Sequence, residues 1–313
     1  MANILITEFM ENEQIDIMSS KHNVSYEPEI YANPKALLDI SNDIEALIVR
    51  NKTNVDKQLL NSMKELKVIG RLGVGLDNID VDCCKEKGIS VIIAEGANAK
   101  SVSEYVVMGL FTLFRGIRKS TEDLLNNKWD RNKHTGSEIN GKTLGIVGVG
   151  TIGQIVAKSA GNLGMKVIGN DIDIRDEDEI WTKLNIESCS FDDLVCRSDA
   201  ITIHVPLTKE TYNLFTEREF KNMRKGSFII NTSRGGIVNE NDVLKYLKNG
   251  HLGGAMLDVF ESEPLTNPNL FSKVENLILT PHIAGLTAES NVRVSQTISE
   301  QILSFLDSKG GLI

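Results

Sequence analysis

Short apolar runs, each bounded by charge or glycine, recur along the chain and leave it little choice of architecture. The first are "NILIT" (3–7), "ALIVR" (46–50), "KVIGR" (67–71) and "SVIIA" (90–94). Segments this brief and this uniformly apolar read as strands covered on both faces, the condition of a parallel sheet. Between them, "NVDKQLLNSMKEL" (54–66) has helical spacing, and "DVDCCKEKG" (80–88) opens on Asp80 as N-cap and closes on a glycine C-cap. Parallel strands need crossovers and helices supply them, so the pattern predicts an α/β fold.

From Asn98 the rhythm changes. "AKSVSEYVVMGLFTLFRGIRKS" predicts one long helix, apolar over most of its surface, that connects domains or packs against a partner subunit. A second strand series follows: "KTLGIVGVG" (142–150), "MKVIGNDID" (165–173), "AITIHVPL" (200–207), "SFIINTS" (227–233), "GGAMLDVF" (253–260) and "NLILTPH" (276–282). With helical segments between them, these predict a doubly wound sheet. A chain of 313 residues, 41% hydrophobic, is better served by two cores than by one.

A formal charge of −9 and a pI near 5.2 exclude a global basic field for nucleic acid or an anionic membrane, so any anionic ligand must be held by local groups. No stretch approaches the roughly 20 apolar residues that span a bilayer, and "MANILITEF" lacks the layout of a leader, so a cytoplasmic protein is expected. Cys83, Cys84, Cys189 and Cys196 form no C-x-x-C pair and share no metal-ligand spacing with histidine; reduced structural thiols and no metal are expected.

Gly148-Val-Gly150-Thr-Ile-Gly153 fits G-x-G-x-x-G. It lies between a strand, "TLGIVG", and a helix, "TIGQIVAKSAGNLG", which is the context the motif requires. The first glycine permits the tight turn, the second lets backbone amides approach a pyrophosphate, and the third allows close helix–strand packing. Asp171 follows at the end of the next strand; a carboxylate there accepts from ribose hydroxyls and repels a 2′-phosphate, which favours NAD over NADP.

Arg234, Glu263 and His282 each lie just beyond an apolar strand candidate of the second series. Carboxyl ends of parallel strands are where an open α/β sheet gathers its ligands. Hydride transfer on a 2-hydroxy acid needs a cation for the carboxylate, a base for the hydroxyl proton and an acid to tune that base. Taken singly, each has a structural alternative: a loop ion pair for Arg234, a solvated charge before Pro264 for Glu263, a satisfied turn residue for His282.

Several long motifs, in order, resemble the D-isomer-specific 2-hydroxyacid dehydrogenases over essentially the whole chain, most closely the phosphoglycerate dehydrogenase branch. They are "GRLGVGLDNID" (70–80), "NAKSVSEYV" (98–106), "GKTLGIVGVGTIG" (141–153), "HVPLTKET" (204–211), "NTSRGGIVNE" (231–240), "LDVFESEP" (257–264) and "TPHIAG" (280–285). The resemblance implies Arg234, Glu263 and His282 as the catalytic set. It implies that Val74, Thr151 and Ile152 lie along the cofactor, with His204, Val205 and Pro206 of "HVPL", Thr232 and Ser233 of "NTSR", Asp258 at the nicotinamide end, and His282 and Gly285 of "PHIAG". Residues 1–97 and 286–313 would form a flavodoxin-like substrate domain and 98–285 an NAD domain through which the chain would form a homodimer.

Two departures from the family pattern stand out. Thr151 occupies a position where many relatives carry arginine beside the pyrophosphate, so anchoring would lean on backbone amides. The sequence ends at Ile313 without a regulatory extension, so feedback by serine through such a domain is not expected.

For substrate, Arg234 would hold the carboxylate bidentately with help from the backbone of Gly73, Val74 and Gly75 in "LGVG". Arg50 and Arg71, each ending a strand of the first series, match the family's arginines for a distal phosphate, so the resemblance implies 3-phosphoglycerate. A sulfonate would suit the same two arginines, and "ILITEFMENE" with "VRNKT" is similar to sulfolactate dehydrogenases; D-lactate and D-glycerate stand further off. Surface ion pairs are the alternative for both arginines. A binding protein of the same fold, an NAD-sensing corepressor, is the alternative to an enzyme.

Overall fold

A computed structural model of the chain describes residues 1–272 and 274–308. These divide into two compact units, residues 1–98 with the segment from Leu286 onward, and Ala99–Gly285. Each is a parallel sheet flanked by helices, as the apolar runs predict.

In the first unit the strands are β1 (Asn3–Ile6), β2 (Asn23–Tyr26), β3 (Ala46–Val49), β4 (Val68–Arg71) and β5 (Ser90–Ile93), in the order β2-β1-β3-β4-β5. That is the flavodoxin-like doubly wound order. Alternate residues face opposite ways along a strand, and the two faces are separately filled. Leu5, Leu47, Val49 and Ile69 join one cluster; Ile4, Ile6, Ala46, Ile48 and Val68 join the other. Full burial of each such side chain stabilises by roughly 1.5–3 kcal/mol. The helix Ala288–Asp307, capped by the Thr287 hydroxyl accepting from the Ser290 amide, lays Val294, Ile298 and Ile302 on the second cluster.

In the second unit the strands are β6 (Thr143–Val147), β7 (Lys166–Asn170), β8 (Ile186–Ser188), β9 (Ala200–Ile203), β10 (Phe228–Asn231), β11 (Gly254–Leu257) and β12 (Leu277–Leu279). Their order is β12-β11-β10-β9-β6-β7-β8. The winding reverses between β6 and β9, so a crevice opens beyond the carboxyl end of β6, where the glycine motif begins.

Two strands escape the sequence pattern, β2 and β8, and both are sheet edges. An edge strand is half-covered and carries no continuous apolar run; β2 reads "NVSY" with every second residue exposed, and β8 only "IES". The expected single helix after Asn98 is two, Ala99–Arg115 and Ile117–Leu125. Gly116 separates them at φ 58°, a left-handed conformation that ends a right-handed helix.

Among the described residues no helix is long and apolar enough to cross a membrane, and no cluster of His, Cys, Asp or Glu could hold a metal ion. Cys83 and Cys84 are buried, and burial pushes the Cys84 thiol up to about 11.

Candidate active site

The glycine motif makes the turn from β6 into the helix Thr151–Asn162. Gly148 sits at φ 90°, and a Cβ there would lie 2.8 Å from the His204 carbonyl oxygen, so the turn and β9 are pressed together at glycine spacing. A Cβ on Gly153 would collide with the Gly148 carbonyl oxygen. At Gly150, by contrast, a Cβ would meet nothing within 4 Å, and no side chain caps this helix. Exposed space beside uncapped helical amides is the cradle a pyrophosphate needs. Thr151 begins the helix with no cationic side chain, and Ile152 packs partly onto the core beneath.

Asp171 follows β7 directly. One carboxylate oxygen accepts from the Val149 amide at 2.7 Å and the other from the Asp173 amide at 2.9 Å. The acid is thereby fixed to the glycine turn, and each oxygen keeps acceptor capacity for a ribose hydroxyl. His204 directly follows β9; its ring Nε2 lies 3.0 Å from the Thr202 hydroxyl, and burial pushes its pKa down to about 3, so the imidazole stays neutral. Val205 packs against the core and Pro206 is exposed. Thr232, just past β10, has a buried hydroxyl with no partner among the described residues, and an orphaned buried polar atom calls for a ligand or water. Uncapped amides, a fixed acid and this hydroxyl together fit a dinucleotide lying along the strand ends.

Asn231, the last residue of β10, organises the segment that carries Arg234. Its Oδ1 accepts from the amide and the hydroxyl of Ser233 at 3.0 and 2.8 Å, and its Nδ2 donates to the Arg234 carbonyl at 2.9 Å. The Arg234 guanidinium in turn donates through Nη1 to the Ser233 carbonyl at 2.7 Å. Ser233, expected along the cofactor, spends its hydroxyl inside this turn.

His282 follows β12, with backbone at φ 56°. That conformation costs a non-glycine residue roughly 1 kcal/mol and persists only where the surroundings enforce it. Asp258, wholly buried at the end of neighbouring β11, does so. Its carboxylate accepts from the Thr280 hydroxyl at 2.6 Å and the Ile283 and Ala284 amides at 2.9 and 2.7 Å, while its carbonyl accepts from the His282 amide at 2.8 Å. Asp258, expected at the nicotinamide end, therefore commits its carboxylate to shaping the histidine loop, which runs on to Gly285. His282 Nδ1 lies 2.7 Å from Glu263 Oε2, and Glu263 Oε1 accepts from the Phe260 amide at 3.0 Å. Burial raises the Glu263 pKa, but the bonds from His282 and Phe260, with the charges of His282 and Arg234, outweigh it and hold the acid below its ordinary value.

Within the first unit, Arg71 and Gly73, two of the expected substrate residues, bond to neighbouring backbone. Arg71 turns back on its own loop, donating from Nε to the Gly75 carbonyl at 2.8 Å and from Nη1 to that of Leu72 at 2.9 Å. Two of its five donors are thus spent on the backbone. Gly73, offered as an amide donor, gives its N–H to the Arg71 carbonyl at 2.7 Å. Arg50 donates from Nη2 to Asn291 Oδ1 at 2.7 Å.

The organising residues Asn231, Asp258 and, at the end of β1, Glu8 were not recognised for what they do. A signal existed for the first two: each is the first polar residue closing an apolar run, in "FIIN" and "AMLD", whereas Glu8 stands one place further on, behind Thr7 in "LITE".

Comparison with known proteins adds the following. The family model for the D-isomer specific 2-hydroxyacid dehydrogenase NAD binding domain matches residues 107–284. The (S)-sulfolactate dehydrogenase of Chromohalobacter salexigens is 44% identical over 295 residues, which cover 94% of this chain and 95% of that one. The D-3-phosphoglycerate dehydrogenase of Archaeoglobus fulgidus is 37% identical over 303 residues, 96% of this chain but 56% of that protein. Among solved structures, D-lactate dehydrogenase from Aquifex aeolicus, complexed with NAD and lactic acid, superposes with a TM-score of 0.82 at 26% identity, over 98% of this chain and 96% of that one.

Proposed function

This chain belongs to the D-isomer-specific 2-hydroxyacid dehydrogenases, NAD-dependent oxidoreductases acting on small 2-hydroxy acids, and on that premise we propose that its substrate carries a second anionic end, a sulfonate or a phosphate. The observation that carries the chemistry is the 2.7 Å pairing of His282 with Glu263. NAD, when bound, supplies the hydride acceptor.

The residues of the chain do the rest. Glu263, kept ionised, accepts from Nδ1–H of His282, and that tautomer leaves Nε2 to take the C2 hydroxyl proton. In the reverse direction the imidazolium returns it. Glu263 also stabilises the protonated ring, and this support persists down to the acid's lowered pKa and fades as pH falls through it. Arg234 holds the C1 carboxylate with a planar fork, fixing C2 in one orientation. Arg50 takes the second anion.

A sulfonate is favoured over the phosphate put first from the sequence. The sulfolactate enzyme shares 44% of its aligned residues with this chain, the phosphoglycerate enzyme 37%. The label (S) does not conflict with D-specificity: sulfur on C3 outranks the carboxyl oxygens, so the arrangement named (R) in D-lactate is named (S) in sulfolactate. The test is NADH formation with both sulfolactate enantiomers, 3-phosphoglycerate, D-lactate and D-glycerate side by side. Preference for an anionic-ended acid is expected; a higher kcat/KM on D-lactate or D-glycerate would sink the reading.

The reading includes a homodimer built on the second unit. Met108, Phe111, Ile117, Leu124, Leu125 and Trp129 leave large apolar side chains exposed on and just after the two helices from Ala99 to Leu125, more than a monomer surface needs. Light scattering at micromolar concentration checks the mass.

A further inference from the structure

Glu8 follows β1 and is 3% exposed, yet it makes no salt bridge among the described residues. Its carboxylate instead accepts from four successive amides of the segment after β3. Oε1 takes those of Arg50 at 2.8 Å and Thr53 at 2.9 Å, and Oε2 those of Asn51 at 3.2 Å and Lys52 at 3.0 Å. Consecutive amides converging on one point form an anion-binding concavity. Here the chain fills that concavity with its own carboxylate, so these amides are closed to a substrate's anionic end.

What the arrangement leaves for a ligand is the Arg50 side chain, which is fixed from both ends. Its main chain is held by Glu8 and by Asn78, whose Nδ2 donates to the Arg50 and Thr53 carbonyls at 3.3 and 2.6 Å. A bond of 2.7 Å between the Thr7 and Thr53 hydroxyls ties the segment to β1 a second time. Its guanidinium is aimed by Asn291, in the first turn of the helix Ala288–Asp307. Burial lowers the Arg50 pKa, with Glu8 and Glu11 opposing that shift. Neighbouring Lys52 is exposed and gives its amine to the Tyr31 hydroxyl at 2.8 Å. An unrestrained arginine would lose rotamer freedom on binding; one already held loses little, and its planar fork stays aligned for a tetrahedral anion.

Building on the anionic-substrate reading above, we propose that Glu8 and Asn291 are positioning residues that fix Arg50 for the substrate's second anion, so that selectivity for that end rests on one oriented guanidinium and not on the amides of its loop.

The experiment measures kcat/KM for sulfolactate, 3-phosphoglycerate and D-lactate in the wild type, Glu8→Gln, Asn291→Ala and Arg50→Ala, with NADH fluorescence titration and thermal midpoint as checks on the fold. Glu8→Gln keeps the shape but turns an amide N–H toward backbone donors. Both positioning variants are expected to lower the ratio of sulfolactate to D-lactate kcat/KM about tenfold, equivalent to about 1.4 kcal/mol. A purely structural role would lower both substrates together and leave the ratio unchanged, which overturns the proposal. Should Glu8→Gln fail to fold, Asn291→Ala, at a partly exposed helix position, decides alone. A ratio that falls in Arg50→Ala but in neither positioning variant refutes the positioning while the anionic-end reading stands; a ratio unmoved in Arg50→Ala removes that reading itself.

Discussion

The two sheets are built alike and finished differently. Both are parallel, and both bury their central strands between helices. At the carboxyl ends in the first unit, the polar groups mostly hold backbone: Glu8 gathers four amides, and Arg71 gives two donors to its own loop. In the second unit, helical amides at Gly150 are uncapped, Thr232 has a buried hydroxyl without a partner among the described residues, and His282 stands paired with Glu263 at φ 56°. The same architecture therefore serves two tasks, one end rigidified to present a few groups and the other left with binding capacity unspent. Fold class alone would not have told them apart.

If the division of labour is right, changes in the second unit should alter turnover for every substrate, and changes in the first should alter the ranking of substrates. The largest effect is expected from His282→Ala: loss of the acid–base group should lower kcat on all substrates by about 10²–10⁴-fold with NADH affinity retained in a fluorescence titration. A near-normal kcat would break the comparison at its centre. Arg234→Lys keeps the charge and loses the fork, and steady-state kinetics should show kcat/KM falling about 10–100-fold for all acids alike.

In the first unit, Arg50→Ala should reduce kcat/KM for sulfolactate and 3-phosphoglycerate by about 10-fold or more, the size of a lost charge-assisted hydrogen bond, with a much smaller change on D-lactate. A uniform loss would merge the two units into one task. Back in the second, Asp171→Ala should narrow the preference for NAD over NADP by about tenfold, read from the two cofactors' KM values, because the carboxylate that repels a 2′-phosphate is gone.

The smallest effect concerns His204. Its folded pKa, about 3, lies below the unfolded value near 6.5, so unfolding takes up a proton. The stability tied to the neutral ring is complete above about pH 6.5 and is lost as pH falls toward 3. Thermal midpoints between pH 7 and 4 should decline less steeply in His204→Asn than in the wild type.

Much of this was legible without coordinates. The apolar runs located ten of the twelve strands among the described residues, and the glycine motif with Asp171 pointed to NAD, because burial on both faces and close backbone approach each restrict residue type at fixed spacing. Strands β2 and β8 were missed because an edge strand needs no apolar run, and the helix break at Gly116 because a single glycine in a helical pattern is ambiguous between tolerance and termination.

The sequence by itself determined the family, the cofactor and the residue types gathered at the strand ends, since those are carried by local pattern. Only the tertiary structure decided what each polar group is bonded to. Glu8 and Arg50 are 42 positions apart, Arg50 and Asn291 241, and Asp258 and Ala284 26, and such bonds depend on which strand ends and helix starts the winding brings side by side. Hydrogen bonding is directional and short-ranged, so whether a carboxylate serves a ligand or a loop is settled by a few tenths of an ångström that no spacing in the chain encodes.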